Sequence, residues 1–394
     1  MSIENLKFLQ VSNGFEDSFN QKASDLFISP GRVEIVGNHT DHQHGKTLSM
    51  TIDRYIYAAV SRNQDFRIVS FNKGYPIAID IDLNDLKINE KEYSTSIALI
   101  RGVCAYFKEH GFKIGGFNCF SVSTILRGMG LSSSAAFEVL IAKILNYYYN
   151  DNQISDLDIA KASQFAEQVY FNKPCGLLDQ MTISYGGVVL SDFNKASPVQ
   201  ANLTHISDKL HFFVINTGKS HAKLTAHYAE ITSDLALVSR EFGKSVLLEV
   251  AEEEFIAQRK ALKGKLSERA LKRADHIFSE TKRVDRAWED LNKDKLDDLI
   301  MTARESGVSS RNDLQNLTYV GDKDKSLIRV YDKLYKHTPF GVRVNGGGFA
   351  GTLILMSKSA DDKLQIEKVL NDPKIKILPV KIAKYKSGHV LRLS

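Results

Sequence analysis

The chain has little cysteine, no long apolar run, no strong excess of one charge and no internal repeat. Three cysteines (Cys104, Cys119 and Cys175) stand in unrelated contexts without a CxxC pair. That argues against a disulfide framework and against a cysteine zinc site. No segment approaches the roughly 20 apolar residues of a membrane-spanning helix, and MSIENLKFLQ at the start has no signal-peptide core. A reducing, cytoplasmic location is expected. A net charge of +5 over 394 residues is too small for a nucleic-acid coat. The densest basic stretch, RKALKGKLSERALKRAD (Arg259–Asp275), interleaves apolar residues with its charges and reads as a solvated helical face.

What is present is ordinary globular material: 43% hydrophobic and 25% charged residues. The length exceeds the roughly 250–300 residues at which single cores stop growing, so two domains are expected. RYIYAAVSR (54–62) and FRIVSF (66–71) read as paired strands, and Ile97–Phe107 has helical spacing. FNCFSVSTI (117–125) is a strand entering a serine-rich loop, and Ala135–Tyr149 is a strongly apolar helix. A second helix covers Leu157–Tyr170, the turn NKPCG follows, and GGVVLSDF (186–193) is a strand. SPVQANLTH breaks the pattern near residue 200, LHFFVINTG (210–218) restarts it, and long helices fill roughly 228–300. GVRVNGGGFAGTLILM (341–356) is a strand, a glycine turn and a strand.

Two motifs carry chemistry on their own. GMGLSSSAAFEVL (Gly128–Leu140) is a glycine-flanked triple serine running into a helix. Free N–H groups and the positive helix end suit a phosphate there, although a serine N-cap on a core helix uses the same residues. Gly45-Lys46-Thr47 is not a Walker A loop, because Thr40 stands where its first glycine belongs. His39, His42 and His44 beside Asp41 suggest a metal, yet no further Cys/His cluster completes a closed site.

The serine loop, SPGRVEIVGNHTDHQHG (Ser29–Gly45) and NGGGFAG (Asn345–Gly351) together resemble the GHMP kinases in order and spacing. The first stretch resembles the galactokinase branch, whose signature reads like GRxNLIGEHTDYNGG. AEQVYFNKPCGLLDQMTISYGG (Ala166–Gly187) is similar to that family's AEHxFxGxPCGIMDQ segment. The resemblance implies an α+β, two-lobed GHMP kinase fold. A ribosomal-S5-domain-2-like domain over 1–200 would hold the sugar and phosphate loops, and a ferredoxin-like domain would cover 201–394.

It also implies ATP-dependent, Mg²⁺-assisted transfer to the anomeric hydroxyl of galactose, in a monomer that binds ATP and a small sugar but no nucleic acid or membrane. By resemblance Asp179 is the catalytic carboxylate and Arg32 its partner, stabilising charge on the transferred phosphoryl group. Gly128, Gly130, Leu131, Ser132, Ser133, Ser134, Gly346 and Gly347 would hold ATP, with Ser134 and Glu167 on the metal. Asn38, His39, Asp41, Gly176 and Tyr228 would face the sugar, although Tyr228 reads equally as a core tyrosine.

A non-catalytic sugar and nucleotide sensor, or a kinase for a related sugar such as galacturonate, remain alternatives. Mevalonate and homoserine kinases lack a GNHTDH-like segment. The chain departs from the pattern at Asn38 (usually Glu), at His42 (usually Tyr) and at Ser96, where a tryptophan is expected ahead of IRGV. Asn38 is expected near the sugar 6-hydroxyl, where an amide would weaken galactose binding and tolerate an acid better.

Overall fold

The computed structural model describes residues 3–74, 78–126, 128–195, 199–201, 209–218, 224–349 and 351–393. Strand β1 (Asp25–Val36) carries Ser29-Pro30-Gly31 at its middle and is buried along its whole length. Proline cannot donate to a ladder, and the register against β2 (Lys46–Arg62) shifts at Pro30/Gly31 and again at Glu34/Val36. Such bulges bend a strand and re-aim its side chains. Past the first bulge the free edge of β1 meets a loop: Arg32 N–H donates to the Leu131 carbonyl at 3.3 Å. A Cβ at Gly31 would lie 2.8 Å from that same oxygen, so only glycine allows the approach.

The larger sheet continues through β3 (Arg67–Asn72), β4 (Ile79–Asp82), β5 (Phe117–Ser123), β6 (Val188–Asp192) and β7 (Val199–Ala201). A smaller sheet holds β8 (His211–Asn216), β9 (Gly341–Val344), β10 (Thr352–Ser357) and β11 (Lys376–Val380), in the order β11-β8-β10-β9. The last strand, β12 (Gly388–Arg392), returns to the larger sheet and pairs with β1 at Asp25–Ile28. The boundary expected near residue 200 falls among residues 196–198 and 202–208, largely outside the described residues.

Alternation along β1 and β2 separates two apolar layers. Leu26, Ile28, Tyr55, Tyr57 and Ala59 pack on one side with Val11 and Phe15 of helix α1 (Ile3–Phe19). Phe27, Ile56, Ala58 and Val60 face the main core. That core is roofed by α2 (Ser96–Glu109), α3 (Ser133–Tyr149), α4 (Asp156–Phe165) and α5 (Leu178–Tyr185). The expected helix over 157–170 is α4 followed by a π-helical turn, Ala166–Tyr170.

The second half supplies α6 (Thr225–Glu241), α7 (Glu252–Leu262), α8 (Glu268–Asn292), α9 (Leu296–Ser309), α10 (Ser326–His337) and α11 (Asp362–Leu370). The basic stretch 259–275 is the solvated helical face expected at Lys260, Lys263, Lys265 and Arg269, with Arg273 turned inward. Buried Arg273 donates to Asp234 at 2.7 Å, and Arg259 donates to Asp275.

The two strands expected to pair, within β2 and β3, are not neighbours. β5 lies between them, antiparallel to β2 and parallel to β3. The chain from Asn63 to Arg67 therefore crosses the start of β5, and Gly116 makes room for it. A Cβ there would stand 2.1 Å from Asn63 Oδ1 and 2.8 Å from the backbone of Arg67. Gly116→Ala should lower stability by about 1–3 kcal/mol, the range for overpacking, read as a fall in the denaturant midpoint. An unchanged midpoint would mean that the crossing segment moves aside freely.

Candidate active site

The serine loop is wound by left-handed backbone at Gly128 (φ 70°), Gly130 (φ 60°) and Ser132 (φ 55°). This winding aims the first turn of α3 into the cleft, with Ser133 and Ser134 at its start. The loop is gripped from two sides. Arg32 Nη1 and Asn345 Nδ2 both donate to the Gly130 carbonyl, at 2.7 and 2.8 Å, and Thr352 Oγ1 donates to Met129 O at 2.8 Å. Asn345 opens the NGGG segment, so the third motif packs directly on the first turn of the cradle.

Arg32 also donates from Nε to Asp179 Oδ1 at 2.7 Å. The other Asp179 oxygen accepts from the Ser132 hydroxyl. The expected partnership of Arg32 and Asp179 is present, and Asp179 keeps 31% of its side chain exposed. Ser132 differs from its expected use, because its hydroxyl serves the carboxylate and leaves only its backbone for a phosphate.

Glu167 lies in the π-helical turn, a distortion that often marks functional positions. Its Oε1 accepts from Ser134 Oγ at 3.0 Å and from Lys173 Nζ at 2.5 Å, and its Oε2 accepts from Gln180 Nε2 at 2.7 Å. A buried carboxylate beside a serine hydroxyl is a hard-oxygen donor pair. It suits Mg²⁺, which takes one or two protein ligands and completes its shell with phosphates and water. Among the described residues no three His, Cys, Asp or Glu gather into a closed cage. One turn along α3, buried Glu138 lies near this pair. Its pKa is raised well above the ordinary value, first by burial and then by the Glu167 charge.

The sugar loop closes on α5. Thr40 Oγ1 ties Gly37 O to Lys46 O, at 2.9 and 2.6 Å. Asp41 then points at the start of α5, where Oδ2 accepts weakly from Leu178 N at 3.5 Å and Oδ1 accepts from His42 N at 2.9 Å. Gly176 belongs beside it: a Cβ there would fall 1.6 Å from Asp41 Oδ2. Burial raises the Asp41 pKa, and burial lowers those of His39 and His42, the latter to about 3. His39 Nε2 contacts Gly347 O at 3.0 Å, and Tyr228 donates to Gly348 O at 3.1 Å. Both therefore shape the glycine loop.

Asn38 departs from its expected position at the sugar. It is buried, and its amide donates to Glu34 Oε1 at 3.2 Å and to Gly346 O at 2.8 Å, while its Oδ1 accepts from Asn316 at 2.8 Å. Both N–H groups of the side chain are committed within the protein, so no donor is left to favour an acidic sugar. The signature GRxNLIGEHTDYNGG has Asn where this chain has Glu34 and Glu where it has Asn38. The two groups have changed places across a contact, and the buried charge stays paired with Arg343, whose Nη2 donates to Glu34 Oε1 at 2.7 Å.

Residues 13–62 match the galactokinase galactose-binding signature and residues 98–187 match the GHMP kinases N terminal domain. The chain carries the galactose-binding signature of galactokinases and the N-terminal domain of GHMP kinases. A galactokinase from Clostridium tetani is 28% identical over 379 residues, covering 93% of each chain. One from Clostridium acetobutylicum is 29% identical over 355 residues, covering 87% of this chain and 88% of the relative. The fold is shared with the crystal structure of Lactococcus lactis galactokinase complexed with galactose. That match has a TM-score of 0.84 at 22% identity and covers 97% of this chain and 99% of that one. Methanococcus jannaschii mevalonate kinase follows with a TM-score of 0.65, 17% identity and coverage of 92% and 99%.

Several residues of the site lie outside those expected. Lys173 and Gln180 stand inside the quoted AEQVYFNKPCGLLDQ segment, and Asn345 opens the quoted NGGGFAG. Glu34 stands inside the quoted SPGRVEIVGNHTDHQHG stretch, where the signature has Asn, while Arg343 and Asn316 have no motif signal of their own.

Two predictions follow the geometry. Asn38→Glu would bury a second carboxylate against Glu34 and should cost about 3 kcal/mol of stability. The exchange Glu34→Asn with Asn38→Glu should recover most of it, which denaturant melts of the double-mutant cycle would show. For Asp41 the folded pKa is raised, so its contribution favours the fold at low pH and is lost as pH rises through that pKa. Asp41→Asn should therefore raise the Tm at pH 8 without sugar, with the gain shrinking toward pH 4, while galactose binding falls. An equal gain at both pH values would rule out the charge as its source.

Proposed function

We propose that the enzyme transfers the γ-phosphoryl group of ATP to the anomeric hydroxyl of α-D-galactose, giving galactose 1-phosphate and ADP. The observation that carries this reading is Asp179, gripped by Arg32 between the serine loop and the sugar loop. Arg32 holds one oxygen of the carboxylate and Ser132 the other, and together they fix its angle. Its exposed portion receives the sugar's hydroxyl proton. The anomeric oxygen attacks the γ-phosphorus, the P–O bond to the β-phosphate breaks, and the proton passes to Asp179 and then to solvent. Arg32 carries the positive charge that steadies the transferring group.

Gly128, Gly130, Leu131, Ser133, Ser134, Gly346 and Gly347 form the nucleotide side, where backbone N–H groups at the start of α3 suit phosphate oxygens. Ser134 and Glu167 would hold Mg²⁺, which neutralises phosphate charge. Asp41, with Gly176 at van der Waals distance beneath it, accepts sugar hydroxyls, and His39 and Tyr228 hold the neighbouring loop. The intact LSSSAA loop and the paired Asp179 favour catalysis over a sensor. We also propose a division near residue 200, a monomer and a cytoplasmic location. Among the described residues no helix is long and apolar enough to cross a membrane.

Asp179→Asn should lower kcat by about 10²–10⁴-fold, the usual contribution of a general base, while galactose binding measured by calorimetry survives. ADP release across a panel of sugars should be largest with galactose. Near-normal turnover in the variant would remove Asp179 from the mechanism, and a stronger response to another sugar would redefine the substrate.

A further inference from the structure

We propose that Lys173 is a built-in occupant of the divalent-metal position, holding it closed to free metal ions and yielding it to the metal–nucleotide complex. The proposal rests on the reading of Ser134 and Glu167 as the metal residues. It starts from a single oxygen. Glu167 Oε1 accepts both the Ser134 hydroxyl at 3.0 Å and the Lys173 ammonium at 2.5 Å. The carboxylate oxygen that meets the expected serine ligand is therefore already paired with a cation supplied by the chain itself.

The backbone keeps it there. Lys173 N–H donates to the Glu167 carbonyl at 3.0 Å, and Asn172 before it takes a left-handed turn (φ 60°) that brings the loop back onto the π-helical turn. Burial explains why a stand-in is needed. The Glu167 side chain is only 2% exposed, and a buried carboxylate without a counter-charge is costly. Gln180 satisfies its second oxygen but brings no charge.

A divalent ion held by Glu167 and Ser134 would compete with the ammonium for the charge of that carboxylate. The lysine has a way out, since its own side chain is 49% exposed. A free divalent ion must displace a tethered ammonium for one carboxylate and a hydroxyl. A metal arriving with nucleotide brings phosphate charge that compensates the ion and attracts the released ammonium.

Mn²⁺ binding to the full chain, followed by the free-ion EPR signal at pH 8, tests this directly. Without nucleotide, Lys173→Met and Lys173→Gln should each bind Mn²⁺ about fivefold more tightly than the unaltered protein, the competition expected of a partly exposed ion pair. Lys173→Arg should stay near the unaltered protein, and added ADP should narrow the difference. Equal Mn²⁺ affinity in all four proteins would overturn the proposal. Glu167→Gln separates this failure from that of the underlying site. If it leaves Mn²⁺ binding with ADP intact, the assignment of the metal residues fails. If it weakens that binding while the lysine variants change nothing, only the role of Lys173 fails.

Discussion

Two opposite charges, Arg32 and Glu34, stand two residues apart on one buried strand and point to the same side. Neither can stay there unpaired, and each is neutralised by a different part of the chain. Arg32 draws in Asp179 at the start of α5 and the Gly130 carbonyl of the serine loop. Glu34 draws in Arg343 of β9, and through Asn38 it reaches the Gly346 carbonyl. The smaller sheet, the serine loop and the Asp179 carboxylate are thus positioned from two residues of β1. The bulge at Pro30/Gly31 matters because it swings this part of the strand away from β12 and onto Leu131.

The segments legible beforehand are those whose periodicity is local. Ala135–Tyr149 reads as a helix from its apolar run, and it is one, beginning two residues earlier at Ser133. Strand 25–36 is harder, because Ser-Pro-Gly has the composition of a turn and it is the long-range pairing with β2, bulged at Pro30/Gly31, and the Leu131 contact that keep it extended. Sheet order is harder still. Nothing in RYIYAAVSR or FRIVSF says that β5 comes between them, since that depends on the space left at Gly116. The return of β12 to the larger sheet is likewise a long-range choice.

At the site, motifs foretold which residues assemble better than what each side chain does there. Asp179 and Arg32 meet as the resemblance implies, and Ser134 meets Glu167. Asn38 was legible as a departure but not as half of an exchange, because its partner Glu34 lies four residues away and only the folded strand end brings the amide to 3.2 Å. Considered alone, the substitution removes a charge from the sugar pocket. Considered with Glu34 and Arg343, it leaves the buried charge count unchanged and relocates the carboxylate.

Asp41 and Asp179 both lie at the start of α5, close enough for their charges to repel, yet their neighbours suit them to different tasks. Asp179 has a fixed guanidinium and an open side, so a proton gained there has a counter-charge nearby and a route to solvent. Among the described residues Asp41 has no such cation paired with it. Burial holds His39 and His42 toward their neutral forms and raises the pKa of Asp41 itself. Its Oδ1 accepts from the His42 N–H at 2.9 Å, but Oδ2 is short of hydrogen-bond donors, for Leu178 N–H is distant at 3.5 Å. Sugar hydroxyls are such donors. In the reaction proposed above, the sugar would relieve a deficit already present in the free protein, beside the group proposed to take the proton. One aspartate would then be stabilised by the protein and left free to react, while the other would be completed by the sugar and fix where the reaction occurs.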